Sequence, residues 1–392
     1  MGKNKTVILS YARTPFGSFL GKLSKLSASH LGAAAIKGAI KRSTISSSDI
    51  DEVIMGNVLS AGIGQAPARQ AAIFAGLNKS AHCMTINKVC GSGMKAIMLA
   101  NQSIRLGESN FVIAGGMESM SNAPHYLSNS RLGTKLGNIK QVDGMVHDGL
   151  WDVYNQVHMG NHGESCASKY NITRENQDEY AEMSYRRSQE AYNKNILQNE
   201  ICELSDQKGN LIDTSDEEPF RVDFDKMKKL RSVFQKDGTI TPANASTIND
   251  GAAVCLLSSE ERAESIDCKP QARILDYAQF SHEPEWFTTA PVSAIKKLLE
   301  KNNLKVEDID LFEINEAFSV VPMVAIKELN INIDKVNIHG GAVSLGHPIG
   351  CSGARIIMSL INALKVKDKK LGIASICIGG GEATAILIEN IK

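Results

Sequence analysis

Along both ends of the chain, short unbroken apolar runs alternate with stretches of helical spacing. Thr6 to Ser10 is a buried-strand run, closed by the turn at Arg13-Thr14-Pro15. Ser27 to Lys41 follows as a helix with Ala28, Leu31, Ala34, Ala35 and Ile36 among its apolar positions, and Ile50 to Val58 as a second strand. From Val89 to Ile104 the residues Met94, Ile97, Met98, Ala100 and Ile104 recur at helix spacing, and the run Asn110 to Gly115 is again a strand. Residues 121–247 differ in character: they are rich in Asn, Ser, Lys and Glu, with weak strand signals and one good helix, Asn176 to Asn193, after a capping Thr173. Strand patterning resumes at Gly251 to Leu257 and again at Ile309 to Ile314. The pattern predicts an N-terminal half, residues 1–120 completed by 248–269, an inserted loop domain over 121–247, and a C-terminal half, 270–392.

The second half repeats the first. Asp49-Ile50-Asp51-Glu52-Val53-Ile54 has an echo in Asp308-Ile309-Asp310-Leu311-Phe312-Glu313. About forty residues further on, the segment from Cys90 to Ile97 echoes that from Gly350 to Ile357, and Phe111 to Glu118 echoes Ile373 to Glu382. Two similar α/β halves with buried, runlike strands imply mixed sheets covered by helices, with the ligand site where the halves meet.

Composition narrows the function classes. A chain of 392 residues exceeds one ordinary core. Its formal net charge of +0 argues against a general nucleic-acid binder. The eight cysteines form no CxxC pair and no Cys/His metal spacing, which predicts a reduced, cytoplasmic protein without a zinc site. The apolar run after the first lysines is broken by Tyr-Ala-Arg-Thr-Pro and reads as a strand, and no run approaches the roughly 18–20 residues of a membrane span. Gly62-Ile63-Gly64 looks like part of a dinucleotide loop, but its third glycine is missing and Pro67 interrupts the expected helix start.

Candidate chemistry sits at the ends of these elements. Cys90 lies at a strand-to-helix turn, between Val89 and Gly-Ser-Gly, where the positive helix end favours thiolate over thiol. On its own such a cysteine is more often a small buried core residue. Asn315 follows a strand and could equally cap a helix; His347 precedes a helix in GGAVSLGHPIGCSG; Cys377 lies between a strand and three glycines, with Ile376 and Ile378 as apolar neighbours. Together they supply a nucleophile, a base, and donors for a carbonyl that becomes tetrahedral.

The motifs NKVCGSGMKA, GGMESMSNAP, NASTINDGAA, NEAFS, GGAVSLGHPIGCSGARI and CIGGGEA stand in the order and spacing of thiolases, and the resemblance covers essentially the whole chain. It implies duplicated α/β halves in a layered αβαβα arrangement. It also implies acetyl-CoA C-acetyltransferase activity, condensing two acetyl-CoA to acetoacetyl-CoA plus CoA, or the reverse. By that resemblance Cys90 carries the acyl group, His347 takes its proton, and Cys377 is acid/base at the acetyl methyl or the leaving thiolate. Asn315 would hold a water that forms one oxyanion hole with His347, and the amides of Cys90 and Gly379 would form the other. His158, in His-Met-Gly, is similar to the loop histidine of short-chain members and would contact the thioester oxygen. Ser246 would bind pantetheine, with Leu150, Met159, Phe234, Ala243, Ile248, Phe287, Ala317 and Phe318 along the tunnel, and Arg221 would stack on adenine. The cluster Lys226, Lys228, Lys229 and Arg231 would attract the CoA phosphates or simply face solvent. Two segments depart from the usual form: Asn161-His162-Gly163-Glu164, where small residues are commoner, and Pro219 to Phe234, which is shorter. The resemblance implies no cofactor beyond CoA thioesters as substrates, no nucleic-acid or membrane partner, and a homotetramer. The alternatives are a 3-ketoacyl-CoA thiolase of broader chain length and an acyl-CoA-binding relative without catalysis. A ketoacyl-carrier-protein synthase is a further one, but it would lack the second cysteine in CxGGG.

Overall fold

Residues 5–391, apart from 134 and 207, are described by a computed structural model. The first half contains β1 (Thr6–Arg13), α1 (Ala28–Lys41), β2 (Glu52–Gly56), α2 (Pro67–Phe74), β3 (His82–Ile86), α3 (Ser92–Leu106) and β4 (Phe111–Ser119). A covering region then contributes α4 (Met159–Tyr170) and α5 (Arg174–Asn193) before β5 (Asn249–Ser259) returns to the sheet. The second half runs through β6 (Ala272–Ser281), α6 (Ala290–Lys301), β7 (Leu311–Ile314), α7 (Val320–Leu329), α8 (Ser352–Val366), β8 (Leu371–Ile378) and β9 (Glu382–Asn390).

The repeat seen in the sequence is a repeat of topology. Strands β3, β2 and β4 are parallel neighbours, and β5 and β1 follow antiparallel. In the second half β7 and β8 are parallel, and β9 and β6 follow antiparallel. A parallel bridge from Phe312 to Val336 occupies the place that β3 fills in the first half. The two sheets are continuous: Thr6–Ile8 of β1 pairs antiparallel with Ala272–Ile274 of β6, giving one ten-stranded sheet whose tenth member is the two-residue strand Gly17–Ser18 beside β5.

Five layers result, as the resemblance implies. Alternate residues of a strand face opposite sides, so Ile8 points to one core and Val7 and Leu9 to another. Helices α3 and α8 fill the middle layer, with Ile97, Met98, Ile356 and Leu360 packed among Ala114, Cys255, Ala374 and Ile376. Helices α1 and α2 cover the far face of the first half, and α6 and α7 that of the second. The central helices cross at glycines: a Cβ on Gly353 would stand 2.5 Å from the Met94 amide nitrogen, and one on Gly93 would stand 2.9 Å from that of Ala354.

Several local expectations change. Pro67 opens α2 instead of interrupting it, because at the first helical position its missing N–H has no helical partner to lose. Helix α5 begins at Arg174, under a capping box between Thr173 and Asn176. Neither α4 nor β3 was anticipated. The sequence of α4, MGNHGESCASKY, buries small and polar residues, while β3 has no fully buried position.

Candidate active site

Cys90 stands two residues before α3 on a strained bend. Val89 has φ of 46°, a left-handed conformation that a β-branched residue rarely adopts. The bend is held locally: Lys88 N–H donates to Ser92 Oγ at 2.8 Å, and that hydroxyl donates to the Val89 carbonyl at 2.7 Å. The helix end was expected to favour thiolate. Instead burial pushes the Cys90 thiol up to about 11, and the backbone amides of Gly379 and of Cys90 itself only partly offset it. Lost hydration outweighs those two amides, so the thiol form is favoured at rest.

His347 sits on the turn between Gly346 and α8, 5% exposed. Gly346 has φ of 105°, and a Cβ there would meet the Asn249 amide. That close approach lets the His347 N–H donate to Asn249 Oδ1 at 3.0 Å. His347 Nδ1 is 2.7 Å from Ser352 Oγ, and Ser352 donates its own hydrogen to the Pro348 carbonyl at 2.9 Å. The imidazole must therefore donate from Nδ1, which leaves Nε2 with a free lone pair. Nε2 is buried with no partner among the described residues. Burial, helped by the Arg355 charge, pushes the imidazole down to about 3. His347 is a neutral base with its acceptor unused.

Asn315 and Cys377 lie deeper, both fully buried. Asn315 N–H donates to the Ser375 carbonyl, its Oδ1 accepts from Arg355 at 3.5 Å, and its Nδ2 is unpartnered among the described residues. Cys377 is the seventh residue of β8. Its thiol is held well above the ordinary range by burial and then by the neighbouring Cys90, with the Ala317 amide opposing. The two thiols are therefore close enough to influence each other's ionisation.

A cavity of about 340 Å³ is lined by Cys90 and His347 but not by Asn315 or Cys377, which lie behind its wall. Cys90, His347 and Gly379 form its floor, and Leu150, His158, Met159, Phe234, Ser246, Ile248, Phe287, Ala317 and Phe318 line it. Little of the lining is polar. His158 caps α4: its Nδ1 accepts from the Gly160 N–H at 3.1 Å, so its ring hydrogen is on Nε2. Its ring stacks on Phe234 at 4.7 Å, and burial lowers its pKa, so it is a neutral donor. A second, more open groove of about 530 Å³ shares Ser246, Thr247 and Ile248 with the cavity and continues to Ala243, Arg221 and Lys226. Ala243 and Arg221 thus belong to the outer groove. Arg221 is exposed, 3.8 Å from Glu218, and Lys226 pairs with Asp223 at 3.0 Å.

Three supporting residues escaped the sequence reading. Ser352 fixes the His347 tautomer and Asn249 fixes its backbone. Glu118, in GGMES, accepts from the amides of Val58, Leu59 and Gly350 and from Asn57 Nδ2, tying the His347 turn to the first half. Burial raises Glu118 to about 7 against the three backbone amides. The signal was present in its place beside two glycines, but its partners lie far away in sequence. Among the described residues no group of three or more His, Cys, Asp and Glu is placed to hold a metal ion.

Comparison with known proteins identifies the family. Residues 6–261 match the family model of the thiolase N-terminal domain, and residues 268–390 that of the thiolase C-terminal domain. The mitochondrial acetyl-CoA acetyltransferase of Mus musculus is 52% identical over 99% of this chain and 92% of its own length. The cytosolic acetyl-CoA acetyltransferase of Gibberella zeae is 47% identical over 98% of each. The crystal structure of the Acat5 thiolase from Ascaris suum in complex with coenzyme A superposes with a TM-score of 0.94, at 47% identity, covering 99% of this chain and 100% of that one. With both family models matched and relatives aligned over its whole length, the chain belongs to the thiolase family.

Proposed function

We propose that this acetyl-CoA C-acetyltransferase works through an acetyl-Cys90 intermediate. The observation that carries the reading is the meeting of Cys90, His347 and the Gly379 amide in one apolar cavity. His347 Nε2 takes the Cys90 proton as Sγ attacks the acetyl-CoA carbonyl. CoA leaves as a thiolate and is protonated by Cys377. Cys377, now a thiolate, removes a methyl proton from a second acetyl-CoA, and the enolate attacks acetyl-Cys90. Acetoacetyl-CoA forms, and the departing Cys90 sulfur recovers its proton from His347. Raised pKa values at both cysteines suit this cycle, because each thiol is ionised only at its own step. The Cys90 and Gly379 amides stabilise one developing oxyanion; Asn315 Nδ2, through a water, and His347 stabilise the other.

His158 is proposed to donate from Nε2 to the thioester oxygen and limit chain length. The outer groove takes the pantetheine and nucleotide of CoA past Ser246 and Ala243 to Arg221. Residues 121–247 are the proposed covering domain, between halves made of 1–120 with 248–269 and of 270–392. The cytoplasm is the proposed location, supported by the cytosolic relative of Gibberella zeae.

Intact-mass and peptide spectrometry after incubation with acetyl-CoA tests the chemistry. The expected result is one acetyl group on Cys90, absent in Cys90→Ser and retained in Cys377→Ala, which no longer condenses. An adduct elsewhere overturns the roles. Thiolysis of acetoacetyl-CoA against longer 3-ketoacyl-CoA esters, with wild type and His158→Ala, separates the short-chain reading from the broader one. Equal wild-type rates on long chains would sink the short-chain reading.

A further inference from the structure

We propose that His162 and Asp152 form a buried clasp that positions His158 over the cavity and so maintains the chain-length preference; the inference rests on the role given to His158 above. His162 Nε2 lies 2.6 Å from Asp152 Oδ2, and both residues are 3% exposed. Neither lines the cavity.

The pair closes a loop around His158. Asp152 belongs to the two-residue strand Trp151–Asp152, which pairs antiparallel with Val157–His158, Trp151 opposite His158. His158 is at once the end of that hairpin and the N-cap of α4. His162 sits one helical turn further on, on the same face of α4 as the cap, and reaches back to the first strand. Asp152 is also the hub of the hairpin turn. Its Oδ1 accepts from the amides of Tyr154 and Asn155, and its Oδ2 accepts from Asn155 Nδ2. Burial opposes ionisation of Asp152, but the bonds from Asn155, His162 and the two amides prevail and hold it below its usual range. The carboxylate is thus an acceptor only, and His162 Nε2 is the donor.

The hairpin has little else to hold it. Trp151, Val153 and Tyr154 are 37%, 55% and 72% exposed, and a two-residue ladder is marginal by itself. Helix α4, in contrast, is anchored, with Cys166 and Ala167 in the core of the second half. Through the clasp that rigidity reaches the hairpin and fixes the angle at which His158 stacks on Phe234. The His162 ring is also edge-on to Phe287, a wall of the cavity, at 6.2 Å.

The test uses the full-length enzyme with His162→Ala, His162→Gln and His158→Ala. It reads kcat and KM for thiolysis of acetoacetyl-CoA and 3-ketohexanoyl-CoA, together with hydrogen exchange of residues 150–160. Gln places an amide nitrogen near the position of Nε2. In His162→Ala we expect faster exchange in the hairpin and a preference for acetoacetyl-CoA reduced about tenfold, since small misplacements of a binding group cost that order. His162→Gln should restore both to within about twofold of wild type. Unchanged exchange in His162→Ala overturns the clasp. Faster exchange with an unchanged preference, in an enzyme whose preference His158→Ala does reduce, overturns its link to specificity. Failure of Gln to restore either overturns the hydrogen bond as the cause. If wild type shows no preference, or His158→Ala leaves it intact, the role of His158 falls and takes the specificity claim with it, whereas the exchange result still judges the clasp.

Discussion

Cys90 is pulled in two directions. The start of α3 and the amides of Gly379 and Cys90 favour its thiolate, while burial favours the thiol and wins, leaving a pKa of about 11. His347, at about 3, cannot pair with it as an imidazolium near neutrality. The two are therefore neutral partners, and proton transfer waits for an electrophile in the cavity. This differs from a site in which Cys and His rest as an ion pair. The difference is measurable: carbamidomethylation of Cys90 by iodoacetamide in the free enzyme should rise about tenfold per pH unit from 7 to 9, with no plateau, because reaction follows the thiolate fraction. Quantified by peptide mass spectrometry, a plateau at or below pH 8 would show a resting ion pair and contradict the burial argument. Residue identities at this site were legible from motifs, but ionisation states were not. They depend on Arg355, Glu118 and enclosure by residues hundreds of positions apart.

Among the elements, the buried-run strands β1, β4 and β5 and the amphipathic helices α1 and α3 were readable, because their burial pattern is written in their own residues. Helix α4 was not. Its buried positions are Gly160, Gly163, Cys166 and Ala167 with the polar His162 and Glu164, and Phe234, Ile240 and Phe318 crowd against its glycines. Strand β3 was missed for the converse reason: as an edge it buries too little to show alternation. The crossing of α3 and α8 was visible only as an echoed Gly-Ser-Gly and Cys-Ser-Gly. Its meaning is steric, since each glycine admits the backbone of the other helix. Gly353→Ala places a methyl 2.5 Å from the Met94 amide nitrogen, a backbone atom that cannot swing aside. We expect a loss of about 1–3 kcal/mol, read as a lowered denaturation midpoint in urea. An unchanged midpoint would mean that the central helices separate without cost.

For the whole molecule, the duplicated halves explain why the site draws on both ends of the chain. Cys90 comes from the first half, and His347 and Gly379, which share its cavity, come from the second. The continuity of the sheet through Thr6–Ile8 and Ala272–Ile274 was not legible, because pairing of two strands leaves no mark in either sequence. Two features of the surface bear on assembly. The outer edge of β3 pairs with no strand among the described residues, and Met84 on it is 41% exposed. Open edges of this kind are templates for association. On the covering region, the hairpin His125–Leu127 with Gln141–Asp143 frames a segment whose Leu132 and Leu136 are 83% and 97% exposed. The homotetramer that the family resemblance implies would need two such contacts per chain, one for each dimer interface. Light scattering behind size-exclusion chromatography is then expected to give four times the mass of one chain. Charging the second surface, as Leu132→Lys with Leu136→Lys, should halve that mass and leave Cys90 acetylation intact, because neither leucine touches the cavity. A monomeric wild type would leave both surfaces without a partner and refute the assembly; a double variant that stays tetrameric would show that the leucine segment is not an interface.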